Sequence, residues 1–509
     1  MIILCIGKTE GVYYMNSKVL ASLAISGVMV VSLAAIPQGS MAATQKTDRP
    51  NVVLMLADNV GWGDIGAYGG GEMRGMPTPR IDSIAEEGLH MTQFLVEPGC
   101  TPSRAALMLG RYAGRAGLGT IIIGGTPNTL QADEITMAEM FKSQGYATGM
   151  IGKWHLGSEE QSWPTRQGFD EYHVGVIETT DGTLYRGHME RQNMPEEFIE
   201  SVVPRVWESD AKGNMKPVRE YTVEYRAQVE GDIAKASIDY IRQHAGWKKP
   251  FFLYIGWTHA HYPNVPASEF VGKAGHPYGD AIMELDYRTG QVLDAIKEAG
   301  IEDNTIVIWA SDNANGNSQT MPQGYIGANN GPFRGELGDA LEGSLRVPGM
   351  IKWPGKIPVR KDNGMVSIHD FYPTLASIIG AKMPTDRAID GIDQSDFFLG
   401  KQDDSNREHL ITFVNNDLAA VRWRQYRMYP KPFVATFNNP RMEGAMGTRV
   451  ISNELLHLYN IEMDPREQIV ITADNAWVFR HYLRIIGEYK KSLEKYPNPE
   501  GVSLTNPGL

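Results

Sequence analysis

The sequence predicts an α/β fold: a large, mostly parallel central sheet flanked by helices, with a smaller C-terminal α+β subdomain. Two observations predict the main body. Four short apolar runs, near 51–56, 146–151, 250–256 and 304–310, alternate with segments of helical pattern, as expected for strands buried on both faces of a parallel sheet. Each run ends in polar or titratable residues, which is where open α/β sheets bind ligands. A third observation predicts the subdomain: after Arg407, short strand-like runs are separated by turns and followed by one amphipathic segment.

In chain order, Val19 to Ile36 is apolar, follows Met15-Asn16-Ser17-Lys18 and precedes Ser40-Met41-Ala42. This reads as an export leader over 1–42, which predicts a periplasmic or secreted protein with no stable membrane span after cleavage. Beyond Ala42, Cys100 is the only cysteine, so no intrachain disulfide is expected in the mature chain. The net charge of −12 argues against general nucleic-acid binding.

Asn51 to Leu56 is the first strand and leads to Asp58-Asn59 and Gly61-Trp62-Gly63-Asp64. Pro102 suits a first helical turn, and Ala105 to Leu109 continues a helix stopped near Gly110. Cys100 is thereby expected just before a helix N-terminus, which favours anions. Thr136 and Glu139 form a capping box. The strand from Tyr146 runs into Gly152-Lys153-Trp154-His155-Leu156-Gly157, and Lys153 and His155 share a face if it continues. Residues 175–223 are expected to form an insertion over the rim, and Glu224–His244 a helix. The third strand leads to His259 and His261. A helix over about 278–300 follows, then the fourth strand and Asp312-Asn313. Val347–Trp353 is a further strand and His369–Gly380 a helix. The catalytic body is expected over 49–400 and the antiparallel-sheet subdomain over 401–509, ending in a helix near 476–495.

Asp58, Asn59, Asp312 and Asn313 are hard oxygen donors that suit Ca²⁺, and Mg²⁺ less well. Only two carry charge, so the set balances a divalent ion without a negative excess and the ion can still face a doubly charged oxyanion. Arg104, Lys153 and the histidines add to that field.

Cys100-Thr101-Pro102-Ser103-Arg104 resembles the C-x-P-S-R signature of the type I, formylglycine-dependent sulfatases of the alkaline-phosphatase-like superfamily, and the chain looks arylsulfatase-like. The same resemblance extends through Ala105–Arg111, Leu56-Ala57-Asp58 with Gly61–Asp64, Gly152–Gly157, Ser311–Asn313 and Glu342-Gly343 with Arg346-Val347-Pro348. Leu458-Tyr459-Asn460 with Asp464, Pro465 and Glu467 is similar to the family's C-terminal signature. The resemblance implies that a maturation enzyme oxidises Cys100 to formylglycine, whose hydrate attacks the sulfur of a sulfate ester, from an aryl sulfate or a sulfated sugar. It implies that Asp58, Asn59, Asp312 and Asn313, with residue 100, hold Ca²⁺. Arg104 would orient residue 100, His155 would be the base of the second step, Lys153 and His261 would bind sulfate, and His261 would be the leaving-group acid. Phosphoester or phosphonate hydrolysis, and non-catalytic binding of sulfated glycans, are the competing readings.

Three positions depart from the family pattern. Asn59 stands where many members have a second Asp, Leu337 where many carry a sulfate-binding lysine, and Asn315 near a frequent glycine. His259 has no assigned role. Trp163, Tyr172, Tyr185 and Tyr325 are expected to pack rather than to form a subsite.

Overall fold

A computed structural model describes residues 49–316, 327–431 and 456–502, all within one unit, Thr44–Leu509. The expected leader and Tyr325 lie outside the described residues. Among the described residues eleven strands form the main sheet: β1 (Asn51–Ala57), β2 (Leu89–Leu95), β3 (Ala147–Lys153), β4 (Glu171–Val176), β5 (Arg205–Ser209), β6 (Met215–Glu220), β7 (Phe251–Gly256), β8 (Thr305–Ser311), β9 (Arg346–Lys352), β10 (Arg360–Asp362) and β11 (Val366–Ser367). The order is β10-β2-β9-β8-β1-β7-β3-β4-β5-β6, with β11 beside β2.

The four apolar runs of the sequence are the adjacent central strands β8, β1, β7 and β3, all parallel. Their side chains alternate between two cores. Val52, Leu54 and Leu56 of β1 join Phe252 and Tyr254 of β7 and Ile306 and Ile308 of β8 on one face. Val53, Met55 and Ala57 join Leu253, Ile255, Val307 and Trp309 on the other. Helices Cys100–Leu109, Met137–Ser143 and Phe371–Ile379 cover the first face; Pro79–Glu86, Val229–His244 and Pro277–Glu298 cover the second. Burial on both faces explains why the runs read as continuous rather than alternating. The capping box forms: Glu139 N donates to Thr136 Oγ1 (3.1 Å) and Thr136 N to Glu139 Oε2 (2.8 Å).

Three expectations are corrected. The polar segment after Gly175 is more than a rim insertion, because its hairpin β5–β6 pairs antiparallel with β4 and extends the sheet; the half-exposed edge hides the apolar signal that marked the central strands. The helix expected over 224–244 breaks into Val223–Arg226 and Val229–His244, and the break carries Arg226 under the loop after β7. Cys100 is the first residue of its helix rather than the one before it, because Gly99 takes the extended N-cap conformation and its carbonyl accepts from Ser103 N (2.9 Å).

The C-terminal sheet runs β12 (His409–Val414), β13 (Asp417–Trp423), β14 (Tyr426–Tyr429), β15 (His457–Asn460). It shares an apolar cluster with Leu95, Tyr112 and Leu345 of the main body and with Ile485 of the terminal helix Phe479–Lys495. A buried charge cluster crosses the same junction. Glu342 pairs with Arg422 (2.6 Å), Arg427 (2.7 Å) and Arg346 (3.3 Å). Glu467 accepts from Glu342 N (2.7 Å) and from the Tyr429 hydroxyl. The Glu342-Gly343 and Glu467 motif residues therefore fasten the small sheet to the body.

Burial opposes ionisation of Glu342, but Arg422, Arg427 and Arg346 outweigh it and hold the carboxyl at about 2. A depressed carboxyl adds stability above its ordinary value of 4.5, and that stability is lost as pH falls through the folded value. Removing one partner from a buried ionic cluster costs about 3–5 kcal/mol. Glu342→Ala should therefore lower unfolding free energy by about that much in urea titrations at neutral pH; a loss under about 1 kcal/mol would contradict the clamp.

Candidate active site

Because β8, β1, β7 and β3 run parallel and side by side, their C-terminal ends open onto one edge. The register pairs Ala57 with Ser311, so Asp58 and Asp312 leave adjacent strands together. Asp312 N donates to Ala57 O (3.0 Å), Asp58 N to His259 O (2.9 Å) and Ala260 N to Asp58 O (2.6 Å). These bonds lock three of the strand ends to one another. The helix starting at Cys100 delivers its first turn to the same place.

There Cys100 Sγ lies 3.4 Å from Asp58 Oδ1 and 3.6 Å from Asn59 Oδ1. Ligand atoms of Asp58, Cys100 and His261 fall within 4.8 Å of one another. Asn59 N donates to Asp312 Oδ1 (3.2 Å), and Asn313 Nδ2 donates to Asn59 Oδ1. Arg104 donates through Nε to Asp312 Oδ2 (3.0 Å) and through Nη1 to Lys153 O (2.8 Å) and the Tyr254 hydroxyl (3.2 Å). Lys153 Nζ sits 2.5 Å from Asp58 Oδ2. All these side chains are buried.

Two backbone positions are strained. Asn59 (φ 61°) and His155 (φ 62°) occupy the left-handed region, which costs a non-glycine residue about 1–3 kcal/mol and clusters at functional sites. The turn at His155 also ends the alternation expected beyond Lys153, since β3 stops there. His155 Nε2 lies 2.7 Å from Ile122 O. A carbonyl only accepts, so Nε2 carries the proton. Nδ1 is buried without a partner among the described residues and offers a lone pair. Burial, then the Lys153 charge, hold His155 well below its ordinary value, so this ring is a neutral base.

The electrostatics divide the two carboxylates. Burial opposes the Asp58 charge, but Lys153, His261 and Arg104 overcome it and keep Asp58 ionised. Burial and the Asp58 charge push Asp312 up, against Arg104 and Lys153. Burial, followed by the Asp58 charge, pushes the Cys100 thiol well up. Burial lowers His261, and the Asp58 charge opposes that.

The donor set fits a hard divalent cation: the carboxylates of Asp58 and Asp312, the amide oxygen of Asn59, and Asn313 Oδ1, which is buried and has no hydrogen-bond partner among the described residues. Thus every residue named from the sequence for metal, nucleophile or anion binding reaches one edge, with Lys153 on Asp58 and Arg104 on Asp312. His259 does not line the cluster; it is buried between Arg226 and Glu284. Leu337 donates its N–H to Asn315 O (3.1 Å), and Asn315 Nδ2 donates to Asp64 Oδ2 (3.1 Å). Tyr172 and Tyr185 are buried with hydroxyls on the carbonyls of Gly152 and Thr180, and Trp163 packs on Trp207. Sequence reasoning missed Tyr254 and the Ile122 carbonyl. A strand-interior tyrosine looks like core, and a backbone carbonyl leaves no residue-type signal.

The sequence model of the Sulfatase family matches residues 50–381. Rattus norvegicus steryl-sulfatase is 31% identical over 540 residues, covering 91% of this chain and 92% of its own. Canis lupus familiaris N-acetylgalactosamine-6-sulfatase is 32% identical over 423 residues, covering 79% of this chain and 75% of its own. The crystal structure of PsFucS1 sulfatase from Pseudoalteromonas sp. superposes with a TM-score of 0.80 at 29% identity, covering 89% of this chain and 92% of that one.

A buried thiol whose ionisation is opposed by a neighbouring carboxylate reacts slowly. Any unmodified Cys100 in the native protein should alkylate with iodoacetamide at least about 100-fold more slowly than in urea, read by mass spectrometry of its peptide. Equal rates would contradict the buried, neutral thiol.

Proposed function

The chain belongs to the sulfatase family and hydrolyses sulfate esters, and we propose that Cys100, oxidised to formylglycine, is its nucleophilic centre. The observation that supports this reading is the setting of Cys100: a neutral thiol 3.4 Å from the Asp58 carboxylate, first in a helix whose N–H groups favour an oxyanion. Such a thiol is poorly placed to act as a thiolate, so the attacking atom has to be made from it. The family implies a metal ion; we assign Ca²⁺ to the oxygen atoms of Asp58, Asn59, Asp312 and Asn313. When present, the ion and the hydrated aldehyde supply a stabilised oxygen nucleophile and a positive charge against the sulfate oxygens.

The chain's own residues supply the rest. Arg104 fixes Asp312 and, through the Lys153 carbonyl, the end of β3. The Lys153 ammonium, on Asp58, provides the charge that faces sulfate. His261 donates its Nδ1–H to Tyr262 O (2.7 Å), so it serves as the acid in its imidazolium form, which the Asp58 charge favours against burial and whose Nε2–H passes to the departing alcohol oxygen. His155, neutral with Nδ1 unprotonated, accepts the proton that restores the aldehyde. We assign the substrate to aryl sulfates or sulfated carbohydrates, the latter in keeping with the name of the N-acetylgalactosamine-6-sulfatase relative. We assign 1–42 to an export leader for the periplasm or exterior, 49–400 to the catalytic body, 401–509 to the subdomain, and maturation to a separate formylglycine-generating enzyme.

Oxidation of Cys100 removes about 18 Da from its tryptic peptide. Active protein should show that loss, and Cys100→Ala should lose turnover of 4-nitrophenyl sulfate while keeping its thermal midpoint; near-wild-type turnover would reject the role of Cys100. Chelation should lower the midpoint and Ca²⁺ should restore it, because a ligand at about 100 times its Kd adds about 2.7 kcal/mol. Faster turnover of 4-nitrophenyl phosphate than of the sulfate would favour the phosphoester reading.

A further inference from the structure

His261 stands on a loop that the sheet holds from one side, through the two backbone bonds between Asp58 and residues 259 and 260. The other side is held by one guanidinium. Arg226 is fully buried. Its Nε donates to Pro263 O (3.1 Å). Nη1 donates to the Thr258 hydroxyl and to Glu230 Oε1 (3.3 Å). Nη2 donates to Thr258 O (2.9 Å), His259 Nδ1 (2.9 Å) and His261 O (3.1 Å). Of these acceptors, all but Glu230 lie in the segment 258–263.

The geometry points to Arg226 as the positioning residue for His261, and this rests on the reading of His261 as leaving-group acid. The contact with His259 fixes that ring as well. Nδ1 accepts from Arg226, so Nε2 carries the proton and donates to Glu284 Oε2 (3.2 Å). Glu284 also accepts from Ala267 N (2.7 Å) and pairs with Arg288 (3.0 Å). His259 thereby acquires a role: it relays the clamp to the long helix Pro277–Glu298. The Glu230 carboxylate neutralises the buried guanidinium and accepts from Thr258 N (3.0 Å). A fork of donors aimed at several carbonyls sets a backbone path in a way that an ammonium with three donors cannot copy.

The test uses the dependence on leaving group, which a merely structural role would leave unchanged. A departing 4-nitrophenolate needs no proton, whereas an alkyl alkoxide does. Arg226→Lys should lower kcat/KM for an alkyl sulfate by roughly 10- to 100-fold while 4-nitrophenyl sulfate stays within about threefold of wild type. His261→Ala should discriminate in the same direction, and the double variant should match His261→Ala alone. If His261→Ala slows both esters equally, the acid role of His261 fails. If His261→Ala discriminates but Arg226→Lys slows both equally, or neither, the positioning role of Arg226 is overturned. Should Arg226→Lys not fold, Glu230→Gln loosens the same clamp with a neutral isostere; a selective loss on the alkyl ester supports the assignment, and an equal loss or none overturns it.

Discussion

The buried balance of two carboxylates against two cations controls the rest of this structure. Asp58 faces Lys153 and Asp312 faces Arg104, all without access to water. Buried charges are tolerated only when paired and hydrogen-bonded. The pairing here requires three strand ends and one helix start to meet within a few ångströms. Parallel neighbours β8, β1, β7 and β3 satisfy that requirement, because every C-terminus in the group points the same way. The left-handed turns at Asn59 and His155 are part of the same constraint, since each re-aims a side chain where a strand would have carried it past the cluster.

A second buried cluster, around Glu342, has the opposite composition: one carboxylate is surrounded by three arginines. Its work is mechanical. It binds the four-stranded sheet to the edge of the main body, and Glu467 extends it from the C-terminal segment. The shared motifs of this chain thus serve two kinds of electrostatic task. Those at the ends of the central strands bring oxygen donors and cations together at one edge of the sheet. Those at Glu342, Arg346 and Glu467 hold two sheets in contact.

Much of this was legible in the sequence because the physics is local. Runs buried on both faces are apolar throughout, so β1, β3, β7 and β8 could be located, and the residues following them gather at the candidate site. Thr136 and Glu139 announce a helix start through a bond pair three residues apart. The hairpin β5–β6 was not legible, since half-exposed edge strands mix polar and apolar residues without a clean period. The break between Arg226 and Val229 was also hidden. Arg226 at the break contacts residues 258–263, some thirty residues onward, and no local propensity reports such contacts. The tautomer of His155 was equally out of reach, because its partner is the carbonyl of Ile122.

We propose that these strand ends present oxygen donors to one hard divalent ion beside residue 100. The most direct measurement is a crystal structure of the matured protein grown with Ca²⁺. One ion is expected, held by oxygens of Asp58, Asn59, Asp312 and Asn313 at about 2.3–2.6 Å, with the oxidised side chain of residue 100 facing it. An ion bound away from these four residues, or an intact thiol at residue 100 in catalytically active crystals, would contradict it.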